Sequence, residues 1–362
     1  MKLKPSSRYT KHLVRAQYSS NIILKQLQTN QVSGAILVVL PKFIGDAINT
    51  LPAVAMLREL YPNNDIHLLA RPYMCDIFVR DTQYRINIIR DTRYDKEDKQ
   101  STFALAKSLK QYQFSMAVLL RGSLSEAVVC KLAGIRFVLG YKQNGRSPLL
   151  SHGLKLNQNH HYIHRYCQLI NDCHNKPFEQ YGLPQLSYEH TDKVVADSKK
   201  TPIAVYFGGK NKGPRHYPLA LAKQALIALS EQVDAHFYLV GDPSETTDNQ
   251  QLYDALQTQH ITVTDLTGKT SLVELVDCIA ACNLMISIDS GPMHMAAAVA
   301  TPCVAVVGFG TSPWSVVAPK NQQFLALTSQ SCSLSEEKII EQIRPTAIAA
   351  ACTQLLKECS KS

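Results

Sequence analysis

The sequence predicts an α/β protein made of two similar halves, each built on a parallel β-sheet. Three observations carry this. Continuous apolar runs of strand length alternate with helical patterns, as expected when strands are buried on both faces. The alternation stops near residue 180, gives way to a polar stretch, and restarts at residue 203. The chain has 362 residues, the length of two domains at roughly 100–200 residues each.

Residues 35–40 (Ala-Ile-Leu-Val-Val-Leu) are the first such run. A short loop, 41–46, leads into a helical pattern over 47–60 that ends at Tyr61-Pro62. Residues 66–70 form the next strand. A helix over 101–111, a strand over 116–120 and a helix over 123–133 closed by Gly134 follow. This β-α-β-α order requires parallel strands joined by right-handed crossovers. Residues 181–202 are polar, with Gly182-Leu-Pro184 at one end and Thr201-Pro202 at the other, and read as a linker. The second half reads as a strand over 203–207, a helix over 218–231 and a strand over 235–240. A helix over 272–281, strands over 284–288 and 304–307 with a helix over 292–299 between them, and closing helices over 338–359 complete it. The expected organisation is a basic extension (1–33), an N-terminal domain (34–180), the linker (181–202) and a C-terminal domain (203–362). Ligands of open α/β sheets bind at the carboxyl ends of the strands, so the two sheets are expected to border a binding cleft.

With 45% hydrophobic and 19% charged residues the chain is neither disordered nor fibrous. Its net charge of +9 is unevenly divided. Residues 1–200 hold 28 Lys+Arg against 15 Asp+Glu, and residues 201–362 hold 10 against 14. A nucleic-acid binder, basic throughout, would not divide this way; one half is expected to meet something anionic. Residues 1–33 contain six basic side chains and no acid, and 18–27 could form a basic amphipathic helix at a membrane surface or belong to a solvated tail. No secretory signal or membrane-spanning run is visible. The ten cysteines contain no C-x-x-C and read as reduced core residues of a cytosolic protein.

Four segments carry chemistry. Lys42-Phe-Ile-Gly45-Asp46 puts a carboxylate at the end of the first strand, where it is either a helix N-cap or a reacting group. Gly208-Gly-Lys210-Asn-Lys212-Gly-Pro-Arg215 between a strand and a helix suits an anionic oxygen, yet it is neither a Walker A nor a G-x-G-x-x-G loop. Asp289-Ser290-Gly291-Pro292-Met-His294 places a turn and a proline at the start of a helix, whose free N–H groups attract anions. Asp289 itself is expected to cap the turn or bind a sugar hydroxyl. Asp242-Pro-Ser-Glu245 follows a strand, where a carboxylate can accept from ribose. His160, His161 and His164 lack the glutamate of H-E-x-x-H and are not expected to hold a metal. No D-x-D pair is present to hold a diphosphate-bound divalent ion.

Together these motifs resemble glycosyltransferase family 9, the ADP-heptose:lipopolysaccharide heptosyltransferases, over roughly residues 35–355. The strongest part runs from Asp265-Leu-Thr-Gly268-Lys-Thr-Ser271 to Asp289-Ser-Gly-Pro-Met-His294, followed by Thr301-Pro302 and Gly308-Phe-Gly-Thr311-Ser-Pro313. Gly45-Asp46 with Leu51-Pro52 matches the family's N-terminal motif. Ala133-Gly-Ile135 and Gly140-Tyr141 to Arg146 look like the heptosyltransferase II branch. The resemblance implies a GT-B fold, two Rossmann-like domains facing across a cleft, and an inverting, metal-independent transfer from ADP-heptose to the lipopolysaccharide inner core. It implies no cofactor and no nucleic acid, and a cytoplasmic enzyme peripheral on the inner membrane. It makes Asp46 the general base and Arg215, Glu245, Asp289, Ser290, Gly291 and His294 donor contacts; Gly208, Lys210 and Lys212 are donor candidates from the loop's own glycines and cations, and either Arg215 or Lys210/Lys212 is expected to hold the diphosphate. Arg215 stands where the family often has Lys, and Tyr217 where it usually has Trp. The acceptor contacts are expected among Lys42, Arg71, Arg121, Lys142 and Arg146. A transferase or epimerase for another nucleotide sugar, or a non-catalytic nucleotide-binding protein, are the competing readings.

Overall fold

The structure is a computed structural model. It describes residues 13–15, 26–194, 200–308, 310, 312–321, 323–329 and 338–360, without the side chains of 13–15 and 210. The chain divides between Leu186 and Ser187 into two compact units.

In the N-terminal unit, β2 (Ala35–Val39) is the middle of a six-stranded parallel sheet. Beside it run β3 (Ile66–Ala70) and β4 (Ile86–Arg90) on one side, and β5 (Phe114–Leu119), β6 (Phe137–Tyr141) and β7 (His152–Leu154) on the other. Ile36 to Leu40 are at most 1% exposed, because helices cover both faces of this central strand. On one face α4 (Thr102–Leu109) and α5 (Leu124–Leu132) bury Leu105, Leu109, Val129 and Cys130 against Leu37, Val39 and Leu119. α2 (Leu51–Leu60) packs on α6 (Tyr162–Cys173). The expected helix over 47–60 is two helices, α1 (Ile44–Ile48) and α2, broken at Asn49-Thr50. Thr50 there donates its hydroxyl to the Ala47 carbonyl at 2.6 Å, the local competition with helix hydrogen bonding expected of Thr.

The C-terminal unit repeats the plan with β9 (Thr201–Tyr206), β10 (Ala235–Leu239), β11 (Val263–Asp265), β12 (Leu284–Ile288), β13 (Cys303–Val307) and β14 (Phe324–Thr328). Their spatial order, 11-10-9-12-13-14, mirrors 4-3-2-5-6-7 in the first unit, and every pairing in the two sheets is parallel. In each sheet the order reverses beside the first strand. The switch points therefore lie at the carboxyl ends of β2/β5 and of β9/β12, where such sheets bind ligands.

The described residues at the start of the 181–202 stretch are anchored. Gln180–Gly182 forms β8, antiparallel to β1 (Leu13–Arg15), and Glu189 N–H donates to Asp277 of the C-terminal unit at 2.8 Å. The amphipathic helix considered over 18–27 lies outside the described residues except at Gln26 and Leu27, which are not helical. Leu27 is buried, and its N–H bonds the Cys173 carbonyl at 2.9 Å. No described helix is long and apolar enough to cross a membrane. The nine described cysteines are free, and all but Cys359 are buried.

Candidate active site

The N-terminal switch point gathers the loops after β2, β3, β4 and β5. Asp46 is not the N-cap of α1, since that place belongs to Phe43; it sits in the first turn, where the helix dipole favours a carboxylate. It is half-buried, and its charge reaches two phenols. Burial raises the Tyr73 hydroxyl, Arg71 and Arg121 oppose that, and Asp46 adds to it. Tyr166 on α6 is pushed well up by burial and then by Asp46. Tyr73 donates to the Lys42 carbonyl at 2.5 Å. Asp46, Tyr73, Arg71 and Arg121 thus form one constellation. Tyr73 went unnoticed in the sequence, although it lies two residues beyond Arg71 in a strand-ending Arg-Pro-Tyr turn.

The five expected acceptor contacts separate into two groups. Lys42 and Lys142 are exposed. Arg71 is half-buried, stacks on the Tyr94 ring at 4.0 Å and forms no ion pair among the described residues. Arg121 and Arg146 require correction. Arg121 is 9% exposed and is held by Asp91 at 3.3 Å and Glu126 at 2.8 Å, with its Nε on the Leu40 carbonyl at 3.1 Å. Arg93 completes the cluster, binding both oxygens of Asp91 at 2.8 Å and Glu126 at 3.3 Å. Arg146 is fully buried and donates to the carbonyls of Tyr141 at 2.8 Å and Arg121 at 2.5 Å. Its guanidinium is turned onto these two carbonyls.

In the C-terminal unit, the loop after β9 is fixed by Glu245. This carboxylate is 1% exposed and accepts from Tyr206 Oη at 2.9 Å, Gly209 N–H at 3.2 Å and Asp242 N–H at 3.0 Å. Lys212 lies 3.3 Å from it and 3.3 Å from Asp242. The expected ribose carboxylate thus also latches the loop, Oε1 accepting from Tyr206 and Gly209 beside Lys212 and Oε2 from the Asp242 N–H. The paired glycines serve the same packing. Gly208 has φ +70°, and a Cβ there would stand 2.7 Å from Ile288; a Cβ on Gly209 would stand 2.9 Å from the Glu245 side chain. Lys210 opens the 210–215 turn that carries Lys212 and Arg215. Tyr217, fully buried, donates to the Ile343 carbonyl at 2.6 Å and packs against Phe207 with the rings tilted by 37°. Burial, then Glu245, then Asp242 raise the Tyr206 hydroxyl far above its ordinary range. Glu245→Gln is expected to lower that hydroxyl part of the way, since burial remains, and to cost about 1–3 kcal/mol of stability. Ultraviolet titration and thermal melting check the two effects.

After β12, Ser290 is the N-cap of α10 (Gly291–Ala298) but makes no side-chain cap; its hydroxyl turns to the Ile288 carbonyl at 3.3 Å. Among the described residues no side-chain oxygen caps the first-turn N–H groups, at half-buried Gly291, which suits an anion. Arg215 lies beside them, its Nη1 3.5 Å from the Asp289 carbonyl. Asp289 does not cap the helix. Burial raises its carboxyl and Arg215 opposes this. Gly310 admits it, since a Cβ there would stand 2.6 Å from Asp289 Oδ2. His294 is 6% exposed and engaged inside the fold. His160 bonds Gln168 at 2.8 Å, His161 caps α6, and no group of metal-binding side chains occurs among the described residues.

The family model described as glycosyltransferase family 9 (heptosyltransferase) matches residues 102–343. Lipooligosaccharide heptosyltransferase 2 of Haemophilus influenzae is 28% identical over 303 residues, 77% of this chain and 84% of its own. Lipopolysaccharide heptosyltransferase 2 of Escherichia coli is 26% identical over 290 residues, 75% of this chain and 82% of its own. The solved structure of E. coli ADP-heptose LPS heptosyltransferase II superimposes with a TM-score of 0.77 at 22% identity, over 90% of this chain and 99% of that one. The fold is the same.

Proposed function

Because this chain belongs to glycosyltransferase family 9 (heptosyltransferase), we propose that it moves a heptose from ADP-heptose to a hydroxyl of the lipopolysaccharide inner core, inverting the anomeric centre without a metal on the diphosphate. The observation that carries the donor half is the uncapped start of α10 beside Arg215. A helix N-terminus and a guanidinium together supply the positive charge that a D-x-D-bound ion supplies elsewhere. Asp46 takes the proton of the attacking hydroxyl as its oxygen bonds the anomeric carbon. The carbon–oxygen bond to the diphosphate breaks through an oxocarbenium-like state, and ADP leaves with the electron pair. Lys42, Arg71 and Lys142 are the cations open to an acidic acceptor, at the cytoplasmic face of the inner membrane.

Incubating the protein with ADP-heptose and a core lacking the second heptose tests the reading: ADP release coupled to a heptose mass increment on the acceptor is expected. Change of the donor without acceptor would make it an epimerase, and ADP binding with no transfer a binding protein. Salt gives a further expected result. The 28 basic residues in the first 200 set up a field screened beyond roughly 8 Å at 0.15 M ionic strength, whereas the diphosphate is held locally. Raising salt should increase the KM for acceptor several-fold more than the Kd for ADP. Equal sensitivity in the two measurements would count against this division of labour.

A further inference from the structure

Eight large hydrophobic side chains are exposed among the described residues, and five of them share one rim. Phe43 (48% exposed) follows β2, Tyr73 (50%) follows β3, Tyr94 (41%) follows β4, Phe103 (71%) opens α4, and Leu124 (44%) opens α5 after β5. Since these strands are parallel, every one of these positions lies at the carboxyl end of the N-terminal sheet. Local contacts tie the rim together. Lys42 Nζ lies 4.5 Å above the Phe43 ring, and Tyr73 bonds the Lys42 carbonyl. Arg71 stacks on Tyr94, Arg93 of the same turn donates to Ser125 at 3.3 Å, and Ser125 adjoins Leu124. α4 packs on the Tyr94 turn and on α5.

We propose that this rim docks on an anionic phospholipid bilayer, with the five apolar side chains entering the headgroup region and Lys42 and Arg71 meeting lipid phosphates. The proposal rests on the reading that the acceptor is a membrane glycolipid. Charge complementarity favours this occupant over a protein. Residues 34–186 hold 19 Lys+Arg against 12 Asp+Glu. Within the rim Arg90 pairs with Asp95 at 3.1 Å, the sequence sets Lys96 and Lys99 against Glu97 and Asp98 in equal number, and Arg71 has no carboxylate partner among the described residues. Aromatic rings interleaved with unpaired cations are the composition that partitions to a bilayer interface. Arg93 and Arg121, neutralised by Asp91 and Glu126, support Tyr94 from beneath, each about 5.5 Å from its ring centre.

The test is co-sedimentation of the full chain with vesicles of phosphatidylglycerol and phosphatidylethanolamine, free of glycolipid. Phe103→Ser combined with Leu124→Ser is expected to weaken vesicle binding about tenfold. Melting temperature and transfer to a delipidated core oligosaccharide should stay unchanged. Arg71→Ala should weaken binding to these vesicles and leave the weaker binding to neutral ones as it was. Wild-type-like vesicle binding by the double variant overturns the proposal, as does a change in its oligomeric mass alone, which would make the rim a contact between copies. Vesicle binding that follows the rim in a protein with no transferase activity would instead overturn the functional reading and leave the docking surface standing.

Discussion

Asp46→Asn is expected to lower turnover by about 10²–10⁴-fold while ADP affinity changes little. Asn keeps the shape of Asp and stays in the first turn of α1, so the loss is confined to charge and proton acceptance. The helix loses the dipole contribution of one carboxylate, about 0.3–1 kcal/mol, and the contacts Asp46 makes inside the unit lose its charge. No residue of the proposed diphosphate site is altered, because Arg215 and the start of α10 follow strands of the other sheet. A second readout is independent of activity. After burial, the charge of Asp46 is among the causes that raise the hydroxyls of Tyr73 and Tyr166, so removing it should shift the more exposed phenol, Tyr73, slightly downward in an ultraviolet titration. Lowered phenol titration with near-normal turnover would place the charge where it is described and end its role as the base. Unaltered phenols with lost turnover would point to a different local arrangement.

How much of this was legible beforehand depends on the residue type at each place. Strands buried on both faces were plain: residues 66–70 and 284–288, read from unbroken apolar runs, are β3 and β12 without a shift. The helix over 272–281 was equally clear, because Ser271 and Glu274 form a capping box ahead of an apolar stripe. Missed elements lacked such contrast. α8 (Thr246–Gln257) opens Thr-Thr-Asp-Asn-Gln-Gln and buries only Leu252 and Leu256. β4 reads Ile-Asn-Ile-Ile-Arg and is half-covered at the sheet's edge, so neither alternation nor a continuous run stands out. The candidate site followed the same rule. Positions just beyond strand ends were predictable from α/β topology, which is why Asp46, Arg71, Arg215 and Ser290 lie at switch points. What each side chain does there was not, because partners distant in sequence decide it. Nothing near Arg146 announces that its guanidinium points at the Tyr141 and Arg121 carbonyls, and Glu245 reads like a turn glutamate until Tyr206 and Gly209 close on it.

Those distant partners set the second large effect. Glu126→Gln is expected to destabilise the N-terminal unit by about 3–5 kcal/mol, the usual consequence of removing one partner from a buried ion cluster. Glu126 is 1% exposed and takes Arg121 at 2.8 Å and Arg93 at 3.3 Å. Gln is nearly isosteric, so packing survives; two buried guanidiniums are left facing Asp91 alone. At roughly 2–4 °C per kcal/mol for a unit of this size, the melting transition should fall by about 6–20 °C. The sign with pH follows from the carboxyl. Burial pushes Glu126 up, but the hydrogen bond from Ser123 and the charges of Arg121 and Arg93 outweigh it and leave it below its ordinary value. A carboxyl depressed on folding adds stability that is present above its unfolded value, near 4.3, and is lost as pH falls through the folded one. The gap between wild type and Glu126→Gln should thus be full at pH 7 and close as the solution is acidified below about pH 4. Urea melts across that range read it directly, and equal stability at pH 7 would show that the cluster is not what holds the rim. Because Arg121 also donates to the Leu40 carbonyl, six residues before Asp46, loss of the cluster should reach the site as well. Below the melting temperature, Glu126→Gln should keep its ADP affinity and lose turnover, separating a positioning role in the acceptor half from a general failure to fold.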